Sequence, residues 1–381
     1  MSGGRKMGEL KKTKRLANIE LLRIISMFFI VLVHYLGRGG VYAAAKPLSV
    51  MYGVTTVMDA IVIVAVNVYI LISGYVLAES SFKYKRLVDI VLQVFTISVG
   101  FYAIMLLLGQ ITFSVSGLVY AVLPILTKQY WFLSVYVGLY ILMPFINKAL
   151  HALTKKQHLT LCVLLVLMFS LYLPAKMLEQ TGYGIAWMVT MYTVGAYLRM
   201  HYKPEDKLRM KHIMMWLVPT VLLVASRYGI ILFGKLISKD LGVYDKWFFK
   251  NNSIPVVWSA VAFFIIFLHV QIKNVRAQKV ITFFGPLTLG VYLIHNNPSL
   301  RGWMWGQINP VSFMNELYFV PLSLLIVSVV FVLCAAVEFI RRALYTRLLS
   351  KGIYRICDSA IEKIKRICCK GEECAKSEET R

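Results

Sequence analysis

The sequence predicts an all-α protein: a polytopic membrane helix bundle of about ten transmembrane helices, with both termini in the cytoplasm. Three observations predict it. Hydrophobic residues make up 59% and charged residues only 16% of the 381 residues, whereas the apolar share of a soluble globular protein is nearer half. The apolar residues gather in windows of about 20 residues, the length that crosses a hydrocarbon core, with shorter windows where Pro or Gly can break a helix. Lys and Arg gather on alternate connections between the windows, which fixes the orientation by the positive-inside rule. The formal charge of +24 is then topological and gives no reason to expect a nucleic-acid partner.

Taken in order, the first window runs from Leu16 to Leu36 behind a basic segment that ends at Arg15. The following "VYAAAKP" imitates a signal-peptide cleavage site, but Arg23 and the length of the apolar run argue against a removable leader. The second and third windows, Thr55 to Ala78 and Leu87 to Leu108, flank the basic "KYKR". Next comes "FSVSGLVYAVLPIL", Phe113 to Leu126, which is short for a span and fits a re-entrant or interfacial segment. Reading it as a span would invert everything downstream. The fourth window, Trp131 to Asn147, leads through "NKALHALTKKQH" to the fifth, Leu159 to Leu173, and the sixth is Ile185 to Leu198. After the basic "RMHYKPEDKLRMK" come Ile213 to Phe233 and Ile254 to His269; after "KNVRAQK" come Val280 to Ile294 and Tyr318 to Ile340.

This divides the chain into a basic cytoplasmic segment 1–15, one transmembrane domain 16–340 and a basic cytoplasmic tail 341–381. The tail "RRALYTRLLSKGIYRICDSAIEKIKR" spaces apolar residues among cations, as a helix on the anionic inner leaflet would. Its last residues, "KSEETR", read as disordered. Cys162 and Cys334 lie in spans and Cys357, Cys368, Cys369 and Cys374 in the tail, where thiols stay reduced. The "CCKGEEC" cluster lacks the paired spacing of a zinc site, so no metal is expected.

The first span carries charge where a bilayer disfavours it. Arg23 and His34 are eleven residues apart, which leaves them about 20° apart around a helix and about 16 Å apart along it. They share one face at two depths, and Glu20, three residues before Arg23, can pair with it near the cytoplasmic end. A charge at mid-membrane costs about 3 kcal/mol on insertion scales, so such groups usually face a cavity or the bundle interior. Two readings stand for each residue: Arg23 snorkels to the inner interface or lines a polar path, and His34 is a satisfied interfacial histidine or a working group.

The run "NIELLRIISMFFIVLVHY" resembles the first helix of the acyltransferase-3 family of membrane acyltransferases, which carries an Arg, ten residues and a His. Further stretches are similar to the family in order: "NVYILISGYVLAES", "KYKRL", "YWFLSVYVGLYILMPFI", "YTVGAYLR" and "LGVYLIHNNP". The resemblance covers Ile19 to about Pro298, and the tenth span matches only in hydropathy. Glu20 stands where members often have Asp, and Lys83 where an Arg often opens the basic pair with Arg86. The second change loses bidentate phosphate binding.

The resemblance implies a membrane O-acyltransferase that moves an acyl group, usually acetyl, from cytoplasmic acyl-coenzyme A to a hydroxyl of a cell-surface or lipid-linked carbohydrate. Acyl-coenzyme A is then a donor substrate, and no resident cofactor is expected. The natural setting is a bacterial plasma membrane. His34 would be the general base, since imidazole titrates near neutrality, or a nucleophile carrying the acyl group. Arg23, held by Glu20, would bind a phosphate or the pantetheine arm or stabilise the thioester oxyanion. Lys83 and Arg86 are candidates for the anionic end of coenzyme A.

Other polar groups admit two readings. His295, at the level of His34, orients the acceptor or the base, or is simply interfacial. Asn67, Ser73 and Tyr75 contact substrate or pack helices together. Tyr130 and Trp131 stack on a sugar or belong to an aromatic belt. Asp59 and Arg227 form a structural ion pair or belong to a site. No phosphate-binding loop, zinc-protease motif or dinucleotide fingerprint is present. A transporter or flippase using the buried charges as a path, or a non-catalytic sensor, are the competing functions; the ordered motifs favour the enzyme.

Overall fold

The computed structural model describes residues 16–171, 182–204, 207–348, 352–355 and 357–359. The expectations for the basic segment up to Arg15, for the end of the fifth window and for most of the tail, including Cys368, Cys369 and Cys374, fall outside those residues.

The described residues are mainly helical, with no strand among them. The first half contains α1 (Ala17–Arg38), α2 (Val41–Ala44), α3 (Val50–Val62), α4 (Ala65–Leu77), α5 (Tyr84–Leu107), α6 (Val115–Val122) and α7 (Trp131–His151). Then follow α8 (Lys155–Ser170), α9 (Ile185–His201), α10 (Met210–Leu236) and α11 (Ile254–Leu268). The last are α12 (Val275–Phe284), α13 (Thr288–His295), α14 (Pro298–Ile308) and α15 (Phe319–Leu348).

Eight helical stretches are long and apolar enough to cross a membrane. At the places of the other two expected spans the chain forms α8 and α9, helices of 16 and 17 residues that are not among those eight. The apolar segment between the third and fourth windows gives only the eight-residue α6, too short to cross a bilayer. Three of the eight are not single helices: Val50–Leu77 is broken between α3 and α4, Val275–His295 at the 3-10 turn Gly285–Leu287, and Gly242–Leu268 joins the 3-10 turns Gly242–Tyr244 and Trp247–Phe249 to α11. Pro286 supplies the second break, since it lacks the N–H a continuing α-helix needs. At the tenth expected span, α15 runs beyond Ile340 to Leu348.

In lipid, apolar side chains gain nothing by leaving the bilayer for one another, so close backbone approach and interhelical hydrogen bonds hold a bundle together. Both appear here. Gly74 of α4 and Gly195 of α9 bring the two helices into backbone contact: a Cβ on Gly74 would overlap the Tyr192 carbonyl, and one on Gly195 the Leu71 carbonyl. These glycines lie in "ISGYV" and "YTVGAYLR". Buried amides join neighbouring helices. Asn147 donates to the Leu77 carbonyl at 2.8 Å and accepts from the Tyr192 hydroxyl at 2.8 Å. Asn67 donates to the Asn251 carbonyl at 2.7 Å and accepts from the Trp187 indole at 3.0 Å.

The helix α1 is central, packing against α4, α11, α13 and α15. Its Tyr35, fully buried, exchanges a 2.9 Å hydrogen bond with Ser323 of α15. On the expected outer side, Arg227 of α10 pairs with Asp245 at 2.5 Å and lies 4.0 Å from Asp59, which accepts from the Tyr42 hydroxyl and lies 3.9 Å from Lys246. The expected Asp59 and Arg227 pair is thus part of a four-charge cluster that ties the 237–252 connection to the bundle.

Candidate active site

The face of α1 that carries Glu20, Arg23 and His34 turns toward α12 and α13. At its inner end Arg23 donates to both carboxylate oxygens of Glu20 at 2.9 Å. Glu20 is buried and Arg23 about one-fifth exposed. Gly285, at the break between α12 and α13, presses its backbone against this carboxylate; a Cβ there would overlap it.

At the outer end, His34 Nδ1 is 2.8 Å from His295 Nε2, and His295 Nδ1 is 2.6 Å from the Val291 carbonyl. A carbonyl only accepts, so His295 Nδ1 carries the hydrogen. In a neutral ring its Nε2 is then the acceptor. His34 Nδ1 must therefore donate, which leaves His34 Nε2 with a free lone pair. The backbone of α13 thus dictates, through two rings, the tautomer of the histidine on α1. His295 is completely buried, with its ring 6.2 Å from Tyr292.

His34 lines a cavity of about 40 Å³ together with Met27, Tyr69, Trp131, Phe132 and Tyr292. A water needs roughly 10–15 Å³ on the same measure, so the cavity has room only for a group a few atoms in size. The Thr288 hydroxyl donates to the Gly285 carbonyl at 2.8 Å, so its oxygen accepts from the Tyr69 hydroxyl at 2.6 Å. A polar seam follows, from Glu20 through Gly285, Thr288 and Tyr69 to the cavity and His34. Beside it, the Tyr130 hydroxyl accepts from buried Asn297 at 2.8 Å. Burial holds the Tyr130 phenol above its ordinary pKa, so it remains a neutral hydroxyl near neutrality.

The structure gathers His34, His295, Trp131 and, one residue before it, Tyr130 at one place. It sets Glu20 and Arg23 at the other end of the seam. Asn67 has its amide engaged by Asn251 and Trp187 as described, and Ser73 donates to the Tyr69 carbonyl at 3.1 Å. Tyr75 packs on Phe264 and lies under Arg199, itself paired with Glu79. Lys83 is the residue before α5 and contacts the Tyr140 hydroxyl through its backbone, while Arg86 lies over the Tyr140 ring; both side chains are exposed. Sequence reasoning missed Tyr69, Thr288 and Tyr292. Tyr69 and Tyr292 lie in the stretches "NVYILISGYVLAES" and "LGVYLIHNNP", and Thr288 and Tyr292 precede His295 by seven and three residues, helical spacings on the same face.

No group of three or more potential metal ligands occurs among the described residues. No curated protein and no solved structure matched the chain. A family model for the acyltransferase-3 acyltransferase domain matches residues 16–339, which extends the likeness through the tenth span. With the helical bundle and the Arg-x10-His helix in place, the chain belongs to the acyltransferase-3 family of membrane acyltransferases.

Proposed function

We propose that the protein transfers a small acyl group, acetyl in the simplest case, from cytoplasmic acyl-coenzyme A to a hydroxyl of a cell-surface or lipid-linked carbohydrate, with His34 as general base. The observation that carries this reading is the hydrogen-bond chain from the Val291 carbonyl through His295 to His34. It leaves the basic nitrogen of His34 unprotonated on a ring that lines the cavity. This is the arrangement of a base oriented by a third group, with an imidazole in the orienting place.

In the proposed reaction the acceptor oxygen attacks the thioester carbonyl carbon while its proton passes to His34 Nε2. A C–O bond forms, the C–S bond breaks, and His34 returns the proton to the departing thiolate. His295 accepts from His34 Nδ1 throughout, so the developing imidazolium keeps its orientation. The size of the cavity favours a short acyl chain.

Arg23, fixed by Glu20, serves the donor below, some 16 Å along the helix from His34, a distance suited to an extended pantetheine arm. The N-terminus of α5 lies next to Lys83 and Arg86, and a helix N-terminus beside cations is a setting that attracts phosphate. The expected location is a plasma membrane of bacterial type.

The test is transfer of label from radioactive acetyl-coenzyme A to envelope glycans in membranes containing matched amounts of folded wild type or His34→Ala. Loss of a general base costs roughly 10²–10⁴-fold, so the variant should show no label above background. Undiminished labelling in His34→Ala would end this mechanism.

A further inference from the structure

We propose that the outer mouth of the site binds the carrier of the acceptor as an anionic amphiphile: an oxyanion, phosphate in the first instance, rests between Arg38 and Arg301, and a hydrocarbon chain lies in the apolar groove along α15. This deepens the acyltransferase reading and rests on it for the hydroxyl delivered to His34.

The two arginines are placed by different elements around the dyad. Arg38 is four residues after His34, one turn outward on the same face of α1. Arg301 is on α14 and reaches back to Asn296, the residue after His295, with a 3.5 Å hydrogen bond. Both charges act electrostatically on His34 and on Tyr292, and on each other. Neither has an acidic partner among the described residues, whereas Arg23, Arg199, Arg227 and Arg341 are each paired with a carboxylate. Two unneutralised guanidinium groups repel each other and are stabilised together by a shared anion, which guanidinium binds bidentately.

The groove begins beside the same residues. Ile294, next to His295, and Leu300, next to Arg301, line it with Met304 and Ile308 of α14, and it continues down α15 from Leu325 to Val337. That is about 18 Å of helix, in a furrow of 520 Å³ with almost wholly apolar walls. A chain anchored there places a phosphate at the arginines and the group beyond it at the cavity of His34. A neutral glycan would use neither feature.

Binding to the purified full-length chain in neutral detergent tests this, read by tryptophan fluorescence and by the shift in apparent Tm. The probes are farnesyl phosphate, farnesol, inorganic phosphate and short-chain phosphatidylglycerol. Farnesyl phosphate should bind at least tenfold more tightly than the other three. Arg38→Gln and Arg301→Gln should each weaken it about tenfold while leaving farnesol unchanged. Val329→Trp, at an exposed groove position, should weaken both isoprenoids. His34→Ala should bind farnesyl phosphate like wild type while losing acyl transfer, which separates failure of this proposal from failure of the catalytic one.

Equal farnesyl phosphate binding in wild type and both arginine variants would overturn the proposal. So would farnesol binding as tightly as farnesyl phosphate, or phosphatidylglycerol competing on equal terms, which would make the groove an ordinary lipid contact. Inorganic phosphate binding as tightly as farnesyl phosphate would overturn the groove's part in it.

Discussion

The two ends of the seam along α1 are built differently. At the outer end, His34 belongs to a closed chain of hydrogen bonds that terminates on a backbone carbonyl, and its partner His295 has no exposure. At the inner end, Glu20 and Arg23 form a pair between neighbours on one helix, and two cations near the expected cytoplasmic surface, Lys83 and Arg86, are exposed and lie against Tyr140. The first arrangement fixes one nitrogen of one ring, as proton transfer requires. The second fixes one cation, Arg23, through its carboxylate and leaves Lys83 and Arg86 exposed, as would suit capture of a flexible, highly charged donor from water. Substitutions at the outer end should therefore act on the chemical step, and those at the inner end on donor capture.

After His34 itself, the largest effect should come from His295. His295→Ala removes the acceptor for His34 Nδ1, freeing the ring to adopt the other tautomer. A fall in kcat of about 10²-fold follows if orientation carries most of the role of the third group. His295→Gln should recover part of this, because its amide oxygen can accept the same hydrogen bond. A His295→Ala enzyme with wild-type kcat would show that the two rings merely pack.

Gly285→Ala strikes the inner end through the backbone. Its Cβ would overlap the Glu20 carboxylate, so either Glu20 or the turn must move, and Arg23 loses its fixed partner. The expected result is about a tenfold rise in KM for acyl-coenzyme A with a smaller change in kcat. The converse pattern would place Arg23 in the transition state.

The sequence announces the Arg23 and His34 levels because both lie on one helix with a fixed 3.6-residue period. It announces the helical membrane bundle because hydropathy reports on lipid, although eight stretches rather than ten are long and apolar enough to cross it. The partnership of His34 with His295 depends on α1 meeting α13, a contact 261 residues distant in the chain, and no local period encodes it. The glycines at 74 and 195 were visible as motifs, but that they meet each other is likewise a tertiary fact. Asn67 shows the converse. A buried amide looks the same in sequence whether it binds a substrate or two neighbouring helices, and here its described partners are Asn251 and Trp187.

The smallest effect belongs to the exposed cations. Lys83→Ala and Arg86→Ala each remove a side chain that water and salt already screen, and single exposed charges are worth at most about 1 kcal/mol. Each should raise KM for acyl-coenzyme A by no more than about fivefold, leave kcat unchanged, and lose its effect as ionic strength rises. Arg86→Ala should act more strongly than Lys83→Ala, because a guanidinium can grip a phosphate bidentately and the ammonium cannot. Lys83→Arg should then lower KM relative to wild type, restoring a second fork beside the α5 N-terminus. A fall in kcat at constant KM in any of the three would move these residues from donor capture to the chemical step, and would erase the division between the two ends of the seam.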